Sequence, residues 1–109
     1  MNGKPWRWLH GEVKTPPMSL QARREMGLLL RELQAGELLA MPHARPMPGV
    51  GSRCYELRVN AETNTGRLMC RIDADAILIL EVFAKKTRET PRQVILDCQR
   101  RLKVYDRNV

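Results

Sequence analysis

The chain has 109 residues, with 19 Lys and Arg against 12 Asp and Glu, a net charge of +7 and a hydrophobic share of 43%. That length supports one hydrophobic core and excludes a second, while mixed-sign charge and ordinary apolar content exclude disorder over most of the chain. No apolar run is long enough to span a membrane and the first eleven residues lack the apolar stretch of a secretory signal, so the expectation is a soluble cytoplasmic domain that attracts phosphate-rich or acidic partners.

Residues 6–13 alternate weakly and carry Trp6 and Trp8, which predicts a short strand before the break at Pro16 and Pro17. From Ser19, a good N-cap residue, Ala22, Met26, Leu29, Leu30 and Leu33 recur at helical spacing with Gln21, Arg23, Arg24, Arg31 and Glu32 on the other side. This predicts an amphipathic helix over residues 19–39 that breaks near Gly36. Residues 41–51 contain three prolines and two glycines, and read as a surface loop exposing His43 and Arg45.

Three strand-like runs follow, at residues 54–60, 67–73 and 76–84, joined by connections short enough for antiparallel hairpins in a meander. Thr90, Pro91 and Gln93 then resemble a helix start, with Thr90 as N-cap, Pro91 at the first helical position and Gln93 completing a capping box. The helix is expected to reach about Tyr105, with Val94, Ile95, Cys98, Leu102 and Tyr105 on its apolar side and Arg100, Arg101 and Lys103 in its last turns. The fold class expected is α+β: a small twisted antiparallel sheet with the N-terminal and C-terminal helices packed on one face, in a single domain over residues 1–109.

Cys54, Cys70 and Cys98 are an odd number without C-x-x-C spacing, so neither a disulfide framework nor a zinc site is indicated and the thiols read as reduced and semi-buried. His10 and His43 stand far apart. No metal or small-molecule cofactor is expected.

Period-two alternation sorts the strands by face. Tyr55, Leu57 and Val59, Leu68, Cys70 and Ile72, and Leu78, Leu80, Val82 and Ala84 make one face; the other gathers Glu56, Arg58, Arg67, Arg71, Glu81 and Lys85. Such a face is either a solvated exterior with cross-strand ion pairs or a phosphate-binding surface. The excess of cations, with Lys86, Arg88 and Arg92 following, raises the second reading.

The segments Cys54-Tyr55-Glu56-Leu57-Arg58-Val59, Gly66-Arg67-Leu68 and Val82-Phe83-Ala84-Lys85-Lys86-Thr87-Arg88-Glu89-Thr90-Pro91 resemble the RelE/ParE superfamily of bacterial toxins, most closely its phage-derived, HigB-like branch. The likeness covers roughly residues 41–105. It implies a toxin that cleaves messenger RNA on the translating ribosome without a metal, the ribose 2′-hydroxyl attacking the adjacent phosphorus, and that is silenced by a cognate helix-turn-helix antitoxin. Arg58, Arg67 and Lys85 would be the catalytic residues, the arginine forks clamping the scissile phosphate. Arg71, Lys86, Arg53, His43 and Arg45 would bind RNA, with Lys86 at the rim or on the antitoxin and His43 a candidate acid. Glu56 would orient Arg58 or simply pair with it. Tyr55 and Tyr105 read as stacking platforms or as core. Cys70 stands where relatives often have an aromatic and Glu81 where many have His. Some superfamily members act on gyrase, so a non-catalytic toxin or nucleic-acid binder is the alternative.

Overall fold

The computed structural model describes residues 3–9, 18–37, 39, 42–60, 65–85 and 89–108. In chain order the elements are β1 (Trp6–Trp8), α1 (Leu20–Gln34), β2 (Ala44–Pro46), β3 (Cys54–Asn60), β4 (Thr65–Ile72), β5 (Ile77–Lys85) and α2 (Arg92–Arg107). They form one sheet in the order β1-β5-β4-β3-β2. The strands from β2 to β5 pair antiparallel as hairpins, whereas β1 lies parallel to β5, with Trp6, Arg7 and Trp8 opposite Ile77, Leu78 and Ile79. The strand expected at residues 6–13 is thus seen as far as Trp8, and residues 10–13 lie outside the described residues.

Local chemistry accounts for the limits of α1. The Ser19 Oγ accepts the Ala22 N–H at 3.1 Å and closes the N-terminus. At the other end Gly36 takes φ +90°, a left-handed conformation that costs glycine little. Its N–H donates to the Leu33 carbonyl and the Glu37 N–H to that of Glu32, both at 3.0 Å, which is the Schellman closure. The helix therefore ends at Gln34, short of residue 39. Within the expected loop 41–51, Ala44, Arg45 and Pro46 pair with Leu57, Glu56 and Tyr55. Only the sheet edge can take a proline there, because its missing N–H leaves no ladder bond unmade.

The α+β class and the antiparallel heart of the sheet are as the alternation suggests, but the helices do not share a face. Ala22, Met26, Leu29, Leu30 and Leu33 of α1 pack with Leu57, Val59, Leu68, Cys70, Ile77, Ile79 and Val82. Cys98 and Leu102 of α2 pack with Cys54, Met69, Leu78 and Leu80 on the opposite side. The cause lies in the strands: each carries apolar residues at both parities, so each face needs a cover.

A bulge sharpens the point. Met69 faces Glu81 but Cys70 faces Ile79, which leaves Leu80 as an extra residue in β5. Leu80 packs in the α2-side core and Glu81 bonds Arg101 of α2, so two successive residues serve one side. Alternation inverts across that step. Val82 consequently joins Ile77 and Ile79 under α1, not Leu78 and Leu80 as simple alternation has it.

The start of α2 also differs from expectation. Pro91 occupies the cap position and no side chain caps it. The Thr90 hydroxyl instead donates to Glu56 Oε2 at 2.5 Å, and the Gln93 side-chain amide donates to Asp97 at 3.0 Å. The Thr90 O–H donates to a buried carboxylate, a charge-assisted bond that ties this side chain to the sheet, and the cap position falls to Pro91. Among the described residues no helix is long and apolar enough to cross a membrane.

The left-handed turn at Gly36 gives a direct test of the α1 terminus. Gly36→Ala has open space around its new methyl but an unfavourable φ, so urea unfolding is expected to show a loss of about 1 kcal/mol.

Candidate nucleic-acid interface

Register places the candidate side chains in rows across the α2-side face. Arg45, Glu56, Met69 and Glu81 stand opposite one another along one row, and Arg58, Arg67 and Phe83 along the next. The carboxylate of Glu56 is fully buried and Arg67 is 1% exposed. The face that alternation makes polar is therefore not a solvated exterior.

Glu56 is the hub of this arrangement. Its Oε1 accepts from Arg67 Nη1 at 2.8 Å and lies 3.9 Å from Arg58 Nε, while Oε2 takes the Thr90 hydroxyl. One carboxylate thus joins β3, β4 and the approach to α2. Burial pulls the Arg67 guanidinium below the usual arginine range, and neighbouring Arg58 pulls in the same direction, with Glu56 opposing both. A buried pair of this kind costs much in desolvation and is held by the completeness of its hydrogen bonds.

Arg58 occupies a different position from Arg67. Its side chain is 22% exposed and its backbone N–H donates to the His43 carbonyl at 2.9 Å. Beyond that bond β3 has no further partner in β2, and a groove of about 530 Å³ opens between the strand and α1. Glu25, Leu28 and Glu32 of α1 line it on one side, with Pro42, His43, Arg58 and Asn60 on the other. Here the structure brings Arg58 and the exposed His43 to one concave surface, alongside two carboxylates.

The remaining candidates are dispersed. Arg45 is exposed on the edge strand opposite Glu56. Lys85 ends β5 in register with Thr65, two positions beyond Phe83, which faces Arg67. Lys86 lies outside the described residues. Arg53 sits at the far end of the sheet in a left-handed conformation, φ 60°, with its exposed side chain 3.2 Å from Asp73.

Arg71 shares that far end and is tied on every side. Its Nε donates to Asp73 at 2.8 Å, its Nη1 and Nη2 reach the two oxygens of Asp106 at 2.9 and 2.8 Å, and the guanidinium stands 5.9 Å from the Tyr105 ring centroid. The Asp106 hydrogen bonds, joined by those of Asp73, raise its pKa against the effect of burial. With 8% exposure it fastens the end of α2 to β4.

Tyr55 and Tyr105 pack against the two cores. Cys70 is fully buried under α1, so the residue type there bears on packing; Glu81 is bonded to Arg101. All three cysteines are free and buried, and burial pushes the Cys70 and Cys98 thiols up to about 12. Among the described residues no three His, Cys, Asp or Glu side chains are grouped to hold a metal ion.

Sequence reading overlooked Thr90 as a partner of Glu56 and the two α1 carboxylates in the groove. The signal for the first was present: Glu56 and Thr90 both belong to the motif segments, although alternation alone does not bring them together.

Two measurements follow from these pairs. Arg67→Met strands the Glu56 carboxylate and is expected to cost about 3 kcal/mol in denaturant unfolding, most of which returns in the double variant Glu56→Gln/Arg67→Met. Arg71 hydrogen bonds hold the Asp106 carboxyl below its usual range. A depressed carboxylate stabilises the fold above its unfolded pKa and loses that contribution as pH falls through the folded one. Thermal melts should therefore show Asp106→Asn below wild type at neutral pH, with the gap closing as pH drops below about 4; a gap that persists in acid would show that the link is not ionic.

A family model described as Phage derived protein Gp49-like (DUF891) matches residues 17–103. No curated protein matches the chain.

Proposed function

The chain belongs to the phage-derived Gp49-like family, within the broad RelE/HigB-like class of toxin-antitoxin toxins, and we propose that it is a toxin that cuts messenger RNA on the ribosome. The observation that carries this reading is the groove in which Arg58 and His43 meet, backed by the buried Glu56 hub. Its working place is the cytoplasm, and its silencing partner is a cognate helix-turn-helix antitoxin.

The reaction begins with attack of the ribose 2′-hydroxyl on the adjacent phosphorus and ends with departure of the 5′-oxygen. Three tasks fall to the protein: a phosphate clamp, neutralisation of the phosphorane charge, and proton transfer. Arg58 supplies the clamp, as its planar fork matches two phosphate oxygens. Lys85 supplies a further cation. His43, which lines the same groove, moves the proton. Arg67, sealed against Glu56, is a positioning residue that fixes the carboxylate behind Arg58. This chemistry draws on no metal or small-molecule cofactor.

A second reading, a non-catalytic toxin acting on gyrase or holding nucleic acid, is favoured by one fact. Arg67, expected to clamp the scissile phosphate, and Arg71, expected to bind RNA, are both buried in ion pairs. Mapping transcript ends after tightly controlled expression separates the two. Codon-phased cuts are expected, reduced by about a hundredfold or more in Arg58→Ala and in His43→Gln. Growth arrest with intact transcripts and altered DNA supercoiling would sink the nuclease reading.

A further inference from the structure

Ion pairing redistributes the net charge of +7. On the sheet face Arg67 is answered by Glu56 and Arg71 by Asp73 and Asp106, and beneath α2 Arg101 is answered by Glu81. Positive charge left without a carboxylate partner lies elsewhere.

Arg7, Arg24, Arg31 and Arg45 are scattered over β1, α1 and β2, and one continuous row of it lies along the outer side of α2. Arg92, Leu96, Arg100, Lys103 and Arg107 recur at four, four, three and four residues, so they fall within about 100° of the helix circumference. All five are exposed, Arg100 with 66% of its side chain in solvent. Arg92, Lys103 and Arg107 have no ion-pair partner among the described residues, and only Arg100 meets a carboxylate, Asp97 on the flank at 3.1 Å. Asp106, on the other flank, is held by Arg71. From end to end the stripe is about 22 Å long.

We infer that this outer face of α2 docks the sugar-phosphate backbone of folded, double-helical RNA, an inference that rests on the RNA-directed function proposed above. The stripe begins beside Thr90, whose hydroxyl is bonded to Glu56 behind Arg58, and runs away from that centre. RNA held along α2 is thereby led toward the candidate groove. A protein partner is the poorer match, because a protein interface needs a desolvated apolar or aromatic centre and this face offers only Leu96, with Val104 on its flank. A phosphate backbone needs only a row of cations at its surface.

The test compares two triple variants of the full chain with the same loss of charge. One is Arg92→Gln/Lys103→Gln/Arg107→Gln; the other is Arg7→Gln/Arg24→Gln/Arg31→Gln, exposed positions on β1 and α1. The probe is a fluorescein-labelled RNA hairpin with a double-helical stem, titrated by anisotropy at several salt concentrations, each variant first checked for a native melt. The α2 variant is expected to bind at least tenfold more weakly, with the logarithmic salt slope reduced by about 2 to 3, and the β1/α1 variant to remain close to wild type. Equal losses in both would reduce the effect to bulk charge and overturn the inference, as would an unchanged slope in the α2 variant. Wild type that cuts transcripts while the α2 variant binds as tightly removes this docking surface alone; wild type that neither binds nor cuts removes the RNA reading with it.

Discussion

A carboxylate without access to water must be met by donors from its surroundings, and Glu56 imposes that requirement on three parts of the chain at once. Arg67 satisfies it from β4, Arg58 approaches it along β3, and Thr90 reaches it from the residue before the cap of α2. Removing any of these leaves a charge or a hydroxyl stranded at low dielectric, where the energetic consequences are several times larger than at a surface. The position of α2 over the sheet, the burial of Arg67 and the partial exposure of Arg58 all depend on how that one group is answered.

At the opposite end of the sheet a second ionic anchor does comparable work with different geometry. Arg71 is gripped by Asp73 from its own strand's end and by Asp106 from the last turn of α2. The helix is thus fastened near its beginning by a hydroxyl and near its end by a guanidinium, with Cys98 and Leu102 supplying the apolar contact between. Neither anchor leaves its arginine available to a ligand. The structural consequence is a division among the cations: Arg67 and Arg71 are buried in ion pairs inside the sheet, while Arg58 is part-exposed and Arg92, Arg100, Lys103 and Arg107 face outward from α2.

Much of this was legible in the residues, and the limits of legibility have physical causes. Helical spacing from Ala22 to Leu33, the Ser19 cap and the Gly36 stop all depend on neighbours a few positions away, so local reasoning reaches them. Alternation also grouped Glu56, Arg58, Arg67 and Arg71 on one side of the sheet correctly. It could not tell that α2 would cover that side, because the burial of a face is decided by an element forty residues distant. Thr90 was misread for the same reason: its sequence neighbours advertise a helix cap, and its actual partner is Glu56. The three-residue β2, with Pro46 in it, shows no periodicity to read.

The bulge at Leu80 and Glu81 has a bearing on how relatives of this chain should be compared. A strand has parity, and every position after that step is counted in the opposite phase from those before it. An ungapped alignment to a homologue lacking the extra residue would assign Val82, Phe83, Ala84 and Lys85 to the wrong sides, moving a cation into the homologue's core or an apolar residue out of it. A single-residue gap at this point restores the correspondence, and its presence or absence across the family would report whether the two-sided sheet is shared.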